Sequence, residues 1–343
     1  MSREENKVKY RKHILLILFV LLIVAFFFWV CIGRYSITPV EVVKIIWANI
    51  TSHTAEIDPI KNKVVMQVRL PRILLSMIVG AGLACSGAAY QCIFGNPLVS
   101  PDILGVSSGA GFGASLAILL SAGTVIVQVQ ALLFGLLAVA IVLAISRVKS
   151  KSELFALVLS GVIVGALFEA LVSLIKYVAD PQQKLPAITV WLMGSLASAS
   201  YKNVLTAAVA IIPCMAVLYA LRWKMNLLSL NEEEAKSLGI NVEKLRLVII
   251  VVATLMTAVS VSICGIIGWI GLVIPHIGRF CVGNDHRGLI PSCIILGAGY
   301  LLIIDGIARS ITAAELPLSI LTAIIGAPIF AYMLRKTIGG RSG

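Results

Sequence analysis

The chain has 343 residues, of which 59% are hydrophobic and 13% are charged. A soluble domain of this length needs more polar surface, so the composition excludes one and indicates an integral membrane protein. The net charge of +12 does not indicate nucleic-acid binding, because Lys and Arg lie in short loops between apolar runs. Seven cysteines without CxxC spacing and four histidines predict no metal site, no cofactor site and no catalytic residue in this chain.

Long apolar runs predict the membrane-spanning helices in chain order. The first run, from Ile14 to Ile32, has nineteen residues without a charge, enough to cross a hydrocarbon core of about 30 Å. It follows a basic segment, residues 1–13, but ends without a small-x-small cleavage site, so we predict a membrane helix and not a signal peptide. The span 269–282 is short for a full crossing. The chain is predicted to be an all-α polytopic membrane protein with a single domain, residues 1–343, and about ten spans: 14–33, 71–93, 103–121, 124–146, 153–175, 202–221, 247–267, 269–282, 288–308 and 317–335.

The distribution of positive charge predicts the orientation in the membrane. With the N-terminus inside, the predicted inner segments hold 18 of the 28 Lys and Arg residues, and the other ten fall outside. Such a bias is typical of cytoplasmic loops. Both termini and the charged segment 222–246 are therefore predicted to be cytoplasmic.

Two connections on the predicted outer side have helical patterns of their own. Thr38 and Pro39 suit the start of a helix, and an apolar stripe follows that ends at Trp47, a residue suited to the headgroup level. This pattern predicts an amphipathic helix that lies in the membrane interface. Segment 179–200 predicts another short interfacial helix.

An irregular segment, residues 95–102, separates the second and third spans. Pro97 and Pro101 stop helix continuation, while Ser100 and Pro101 suit the N-cap and first position of the third span. Irregular backbone at a membrane boundary is tolerated where protein or a watery cavity covers it. A pore-lining segment and a plain turn both remain open at this point.

The segment from Arg222 to Arg246 carries nine charged residues in twenty-five positions. It predicts a short helix with Asn231 as N-cap, Glu234 at capping-box spacing and Gly239 as the left-handed C-terminal residue. A structured helix at a membrane boundary indicates a docking surface for another protein, although a solvated connector is the alternative. The residues assigned to this surface are Asn231, Glu232, Glu233, Glu234, Leu238 and Gly239.

Five sequence blocks, in register over nearly the whole chain from about residue 14, carry a family resemblance. They are RLPR (69–72), FGNPLVSPDILGVSSGAG (94–111), LNEEEAKSLG (230–239), GLVIPHIGR (271–279) and ELPLSILTAIIGAP (315–328). With these blocks the chain resembles the FecCD-type permeases of ABC importers for iron-siderophores, haem and cobalamin. The resemblance implies a BtuC-like permease fold in a bacterial cell membrane.

The resemblance also implies partners. A second copy or a paralogue would complete a dimer around the translocation path, and an external substrate-binding protein would deliver the cargo. The chain has no G-x-x-x-x-G-K-[ST] motif, so ATP and Mg would be held by two copies of a separate ATPase subunit. The implied cargo is an iron(III) chelate, either a siderophore or haem, with cobalamin as an alternative.

The family's functional residues carry over to three places in this sequence. The helix around 231–239 would couple the permease to the ATPase. Arg69, Arg72 and Arg309 would dock the binding protein through acidic groups of that partner. Residues Asn96, Pro97 and Leu98 would form the cytoplasmic gate.

Ionisable residues within apolar spans leave a different function open. A proton relay through Glu169 and Asp305 would make the chain a proton-coupled secondary transporter. Such a carrier has no use for a docking helix. Asp305 and Arg309, at i and i+4, are predicted to pair locally. An intramembrane enzyme would need a polar catalytic cluster, and the sequence offers none.

Overall fold

The computed structural model describes residues 3–33, 35–51, 57–146, 153–229, 232–239, 241–312 and 315–339. Helices account for most of these residues. The helices are α1 (Arg3–Cys31), α2 (Pro39–Ile50), α3 (Pro59–Lys63), α4 (Leu70–Phe94), α5 (Val106–Leu119), α6 (Thr124–Ser146), α7 (Glu153–Val178), α8 (Lys184–Leu192), α9 (Tyr201–Met225), α10 (Glu232–Ser237), α11 (Val242–Cys264), α12 (Ile270–Val282), α13 (His286–Ile311) and α14 (Leu318–Gly339). A π-helical turn, Val64–Arg69, precedes α4, and 3-10 turns, Pro101–Leu104 and Asn226–Ser229, precede α5 and α10.

The helical architecture confirms a polytopic membrane protein. Within the described residues, seven helical stretches are long and apolar enough to cross a bilayer. Three shorter apolar helices occupy the remaining predicted spans: Val106–Leu119, Ile270–Val282 and Leu318–Met333. The seven long stretches are Lys9–Cys31, Pro59–Phe94, Thr124–Ser146, Leu154–Val178, Tyr201–Leu228, Val242–Cys264 and His286–Ile311.

The third predicted span differs from the structure at its start. A 3-10 turn replaces the first helical turn, Ser100 makes no side-chain cap bond, and Gly105 then adopts φ +73° before α5 begins at Val106. Ser100 and Pro101 therefore hold the predicted N-cap and first positions, but of the 3-10 turn and not of α5. The left-handed residue interrupts the helix, and the fourteen residues of α5 cover only about 21 Å.

Helix α4 forms the centre of the bundle, where it packs against α9, α11, α12 and α13. Glycines allow backbone contact on two of its sides. A Cβ at Gly80 would lie 2.2 Å from the carbonyl oxygen of Gly297 in α13, and one at Gly87 would lie 1.8 Å from that of Gly271 in α12. Small residues therefore bring these helices closer than side-chain packing would allow.

Helix α2 marks one end of the bundle, which we call the α2 side. Thr38 and Glu41 form a capping box, in which Thr38 N donates to Glu41 Oε2 over 2.8 Å. Val42 and Ile45 are buried, whereas Trp47 is exposed on the opposite face, so the predicted amphipathic helix is confirmed. Hydrogen bonds from Lys61 and Thr38 lower the pKa of Glu41 to about 2. The predicted short helix within 179–200 is also present, as α8.

Helix α10 marks the other end of the bundle, which we call the α10 side. The last turn of α4 meets the end of α9 there, because Cys92 Sγ donates to Met225 O over 3.3 Å. The start of α9 lies at the α2 side, where Tyr201 Oη donates to Met66 O over 2.6 Å. Candidate site residues therefore lie at both ends of the bundle.

Candidate functional site

The predicted docking helix is present as α10. The Leu238 N–H donates to Glu234 O, and Gly239 adopts φ +76°, so the predicted left-handed C-terminal residue is confirmed. Ala235 is buried against the neighbouring turn and α11, whereas the Leu238 side chain is 59% exposed. Asn231, the predicted N-cap, lies outside the described residues, and the side chains of Glu232 and Glu233 are also outside them. The described part of the segment is an anchored helix with an exposed apolar end.

A polar network holds the connection that leads into α10. Asp285 accepts hydrogen bonds from Arg11 Nη1 at 2.5 Å and from Asn226 Nδ2 at 2.7 Å. Asn226 Oδ1 in turn accepts from the His286 N–H at 2.9 Å. Partial burial raises the pKa of Asp285, but hydrogen bonds from Arg287 N–H, Asn226 and Arg11 outweigh it and hold the pKa below its usual value. The network ties α1, α9 and the α12–α13 turn together directly before α10.

The segment between α4 and α5 presents an exposed tip. Gly95 ends α4 with φ +58°, and the Leu98 N–H donates to Asn96 Oδ1 over 2.9 Å. Asn96, Pro97 and Leu98 are all exposed, whereas Val99 is buried. The residues predicted as a gate therefore form a short projecting turn on the α10 side of the chain.

Gln91 fixes this turn to the bundle. It is buried on α4, and its Nε2 donates to Val99 O at 3.2 Å and lies 3.4 Å from Gly271 O. Its Oε1 accepts a hydrogen bond from Arg279 Nη1 in α12 at 2.5 Å. One side chain thus connects α4, α12 and the base of the turn.

Gln91→Leu is expected to lower the free energy of unfolding by about 1–3 kcal/mol, because the Val99 carbonyl and the Arg279 guanidinium lose a buried partner without a replacement. The measurement is the thermal unfolding midpoint in detergent. Gln128→Leu is the matched control, since Gln128 is partly buried on α6 and finds no hydrogen-bond partner among the described residues. Equal midpoints for the two variants would contradict the assignment.

The first of the predicted docking arginines is buried. Arg69 donates to the carbonyl oxygens of Val30 and Cys31, both at 2.8 Å, and to that of Tyr35 at 2.5 Å. The last carbonyls of a helix lack partners within it, and here the guanidinium of Arg69 satisfies those at the end of α1. Arg69 therefore fastens α1 to the start of α4.

The other two arginines are buried as well. Arg72 Nε lies 2.9 Å from both carboxylate oxygens of Asp305, Arg72 Nη2 lies 2.7 Å from Oδ1, and Nη1 donates to Glu315 at 3.1 Å. Arg309 instead donates to Trp29 O at 2.6 Å. The predicted local pair of Asp305 with Arg309 is therefore wrong, because Arg72 from α4 takes the carboxylate. The buried part of the α2 side is thus held by ion pairs and carbonyl contacts.

An open cleft of about 250 Å³ lies over this arginine cluster. Its lining includes Tyr35, Arg69, Arg72, Arg309 and Glu315. The three arginines predicted to act together do meet in one place, but each has a partner within the chain. Free, outward-pointing guanidinium groups were expected from the sequence, and the structure does not place them so.

The structure separates the predicted residues into an α10 surface, a turn on the same side and an arginine cluster at the opposite end. Sequence reasoning did not identify Gln91, Asn226 or Asp285. Asp285 stands directly before the α13 helix, a position typical of an N-cap, and that pattern could have identified it. Gln91 lies inside an apolar helix and has no comparable local pattern.

The helical bundle with a projecting helix on the α10 side, together with the comparisons that follow, places the chain in the class of ABC permease subunits. The family model described as the FecCD transport family matches residues 21–336. A molybdate import permease of Haemophilus influenzae is 45% identical over 89% of this chain and 90% of its own length. A permease of Helicobacter pylori named for iron chelatin transport is 43% identical over 80% and 83% of the two chains.

A solved structure agrees with these sequence matches. An inward-facing transporter assigned to the metal-chelate ABC type superposes with a TM-score of 0.85 at 44% identity, covering 95% of this chain and 99% of the other. The chain belongs to the FecCD transport family. It is a multi-pass permease subunit of an ABC importer, and its role is transport and not catalysis.

Proposed function

We propose that the chain is the membrane subunit of an importer for an iron(III) chelate, a siderophore complex or haem, driven by a separate ATPase that binds at α10. The observation that carries the proposal is the exposed end of α10 in a chain of this family without an ATP-binding motif. The α10 side is then cytoplasmic, together with both termini. The membrane is the bacterial cell membrane.

The surface around α10 suits a protein partner. Glu234, Ser237 and Leu238 are exposed on a helix whose Ala235 is anchored. Beside it lies a cleft of about 240 Å³ lined by Lys224, Gly239 and Lys244, among others. Acidic helix and basic cleft lie next to each other, so an ATPase with complementary charges would be oriented in a single way.

Transport then follows an alternating-access scheme. Two copies of the chain, or one copy and a paralogue, enclose the path, and the turns at Asn96–Leu98 close its cytoplasmic end. The ATPase moves α10, and the Asn226–Asp285 network passes that movement to α9 and α13. We keep the α2 side as the contact surface for an external binding protein. Because Arg69, Arg72 and Arg309 are buried, we propose that they hold this surface in shape and do not contact the binding protein directly.

Support for the cargo comes from two sources that point in different directions. The name of the Helicobacter pylori relative and the metal-chelate type of the solved neighbour favour an iron chelate. The name of the Haemophilus influenzae relative favours molybdate, which is a small oxyanion and our second candidate.

The test reconstitutes the full chain with its ATPase in liposomes that contain ATP and adds binding protein loaded with a labelled ferric siderophore. We expect the ATPase to copurify in detergent, and uptake to require ATP and to persist when a protonophore removes the proton gradient. Uptake that follows a proton gradient without ATP would establish the secondary transporter instead. The same vesicles supplied with molybdate test the second cargo.

A further inference from the structure

Glu169 places a carboxylate on the exposed face of a membrane-spanning helix. It lies sixteen residues after the first residue of α7 and nine before the last, about 24 and 13 Å along the helix axis. This position falls within the hydrocarbon core of a bilayer. Ionisable side chains at such a depth face a water-filled cavity or a polar partner and not lipid.

Glu169 belongs to a polar strip that we define by Ser108, Glu169, Ser173 and Lys176. The Ser108 hydroxyl lies 3.3 Å from Glu169 Oε1, and the Ser173 hydroxyl donates to the Glu169 carbonyl over 2.9 Å. At about 100° per residue, the three α7 members fall within roughly 60° of one another on the helix surface. The opposite part of the exposed face carries apolar side chains such as Leu174. Between Glu169 and Lys176, helix α7 is thus polar on one exposed flank only.

The polar strip lies beyond the turn at Asn96–Leu98, toward the α2 side. The segment after that turn packs on α7, where a Cβ at Gly161 would lie 2.0 Å from Ile103 O. Glu169 follows Gly161 by two helical turns, about 12 Å along the axis. Substrate that reaches the proposed gate from the α2 side would pass this level first.

We propose that the polar strip lines the translocation path and that Glu169 selects against anionic cargo, so that the metal crosses as a cationic or uncharged chelate and not as an oxyanion. This inference rests on the proposed importer function and narrows its substrate class to ferric siderophores without a net negative charge, which excludes haem because of its two propionate groups. Two copies of the chain contribute two carboxylates to one path. Lys176 lies seven residues nearer the α2 side, about 10 Å along the helix axis, so the carboxylates set the sign of the field at the level of Glu169. There they repel a dianion such as molybdate, attract cations and leave an uncharged complex unaffected.

The test measures thiol labelling at Ser108→Cys in a full-length chain whose native cysteines are replaced, reconstituted with its ATPase in liposomes. Ser108 is the member of the strip beside the Glu169 carboxylate, at 3.3 Å. Two membrane-impermeant thiosulfonates are compared, one with a trimethylammonium group and one with a sulfonate group. Relative to their rates with a free thiol, we expect the cationic reagent to react at least ~10-fold faster than the anionic one. Glu169→Gln in the same background is expected to bring that ratio to within ~2-fold of one. Leu174→Cys, on the apolar part of the exposed face of α7, is the control and is expected to stay unlabelled.

Each outcome bears on the inference. No labelling at Ser108→Cys would place the strip against lipid or in a dry interface and overturn the inference. A ratio of cationic to anionic labelling rates that Glu169→Gln leaves unchanged would also overturn the inference. Uptake of molybdate by wild-type vesicles would do the same. ATP-driven chelate uptake is recorded on the same vesicles. If uptake persists while labelling fails, only the inference fails. If ATP-driven uptake is absent, the proposed function fails whatever the labelling shows.

Discussion

Asp305→Ala is expected to lower the free energy of unfolding by about 3–5 kcal/mol, because it leaves the Arg72 guanidinium buried without its main counter-ion. Asp305 is 0% exposed, and Arg72 reaches both of its carboxylate oxygens. The pair also joins α4 to α13, which makes it a link between two central helices. The measurement is the thermal unfolding midpoint of the detergent-solubilised chain.

A double replacement separates the ion pair from simple loss of packing. Arg72→Met combined with Asp305→Leu removes both charges at similar volume, so we expect it to be far more stable than Asp305→Ala. Glu243→Ala, at an exposed carboxylate in the first turn of α11, is the control. If Asp305→Ala unfolded at the midpoint of this control, the structural role of the pair would be refuted.

This expectation changes how charge reversal at Arg72 should be interpreted. The docking role that the family resemblance implies for Arg69 and Arg72 predicts that reversing both to Glu weakens binding of an external protein. A buried glutamate beside Asp305 and Glu315 would instead destabilise the fold. Weakened association is therefore informative only for a variant whose unfolding midpoint is unchanged.

The combined variant Glu234→Arg and Leu238→Asp is expected to reduce ATP-driven uptake to below about a tenth of the wild-type rate. Glu234 is exposed on α10 and Leu238 is exposed directly after it. Losing the central residues of a protein interface costs about 2 kcal/mol or more, roughly 30-fold in affinity. We expect the copurified ATPase to be lost in parallel. The unfolding midpoint should stay unchanged, because neither residue contributes to the buried bundle.

A nearby charge reversal serves as the comparison for α10. Glu243→Arg changes the same kind of exposed carboxylate a few residues away, on α11. We expect it to keep most of the uptake and of the bound ATPase. Normal ATPase association in the α10 variant would contradict the assignment of α10 as the coupling surface. An equal loss of uptake and of bound ATPase in both variants would contradict it as well.

Local patterns allowed much of the fold to be predicted. Apolar run lengths located the helices, Thr38 and Pro39 located the start of α2, and the conformation of Gly239 followed from its place after a short helix. These features depend on residues close in sequence. The break at Gly105 did not follow, because a glycine inside a largely apolar run gives no local signal that its backbone will adopt φ +73°.

The candidate site residues were predicted less completely. The arginines were located, but their partners come from α1 and α13, up to 280 positions away in sequence. A guanidinium at the start of a span has the same local pattern whether it points outward or binds a carboxylate of another helix. The role of Gln91 was not predicted for the same reason, because only the folded chain brings Val99 and Arg279 into contact with it.

The backbone contact between Gly87 and Gly271 restricts how the permease can change shape. No side chain lies between the two backbones at this point, so α4 and α12 have no layer of side chains along which they could slide past each other. One turn further along, the hydrogen bonds of Gln91 also hold the two helices together. We therefore expect these two helices to tilt as one rigid body during a transport cycle. The bending would then fall on the glycine breaks at Gly105 and Gly265, where positive backbone angles already interrupt the helices.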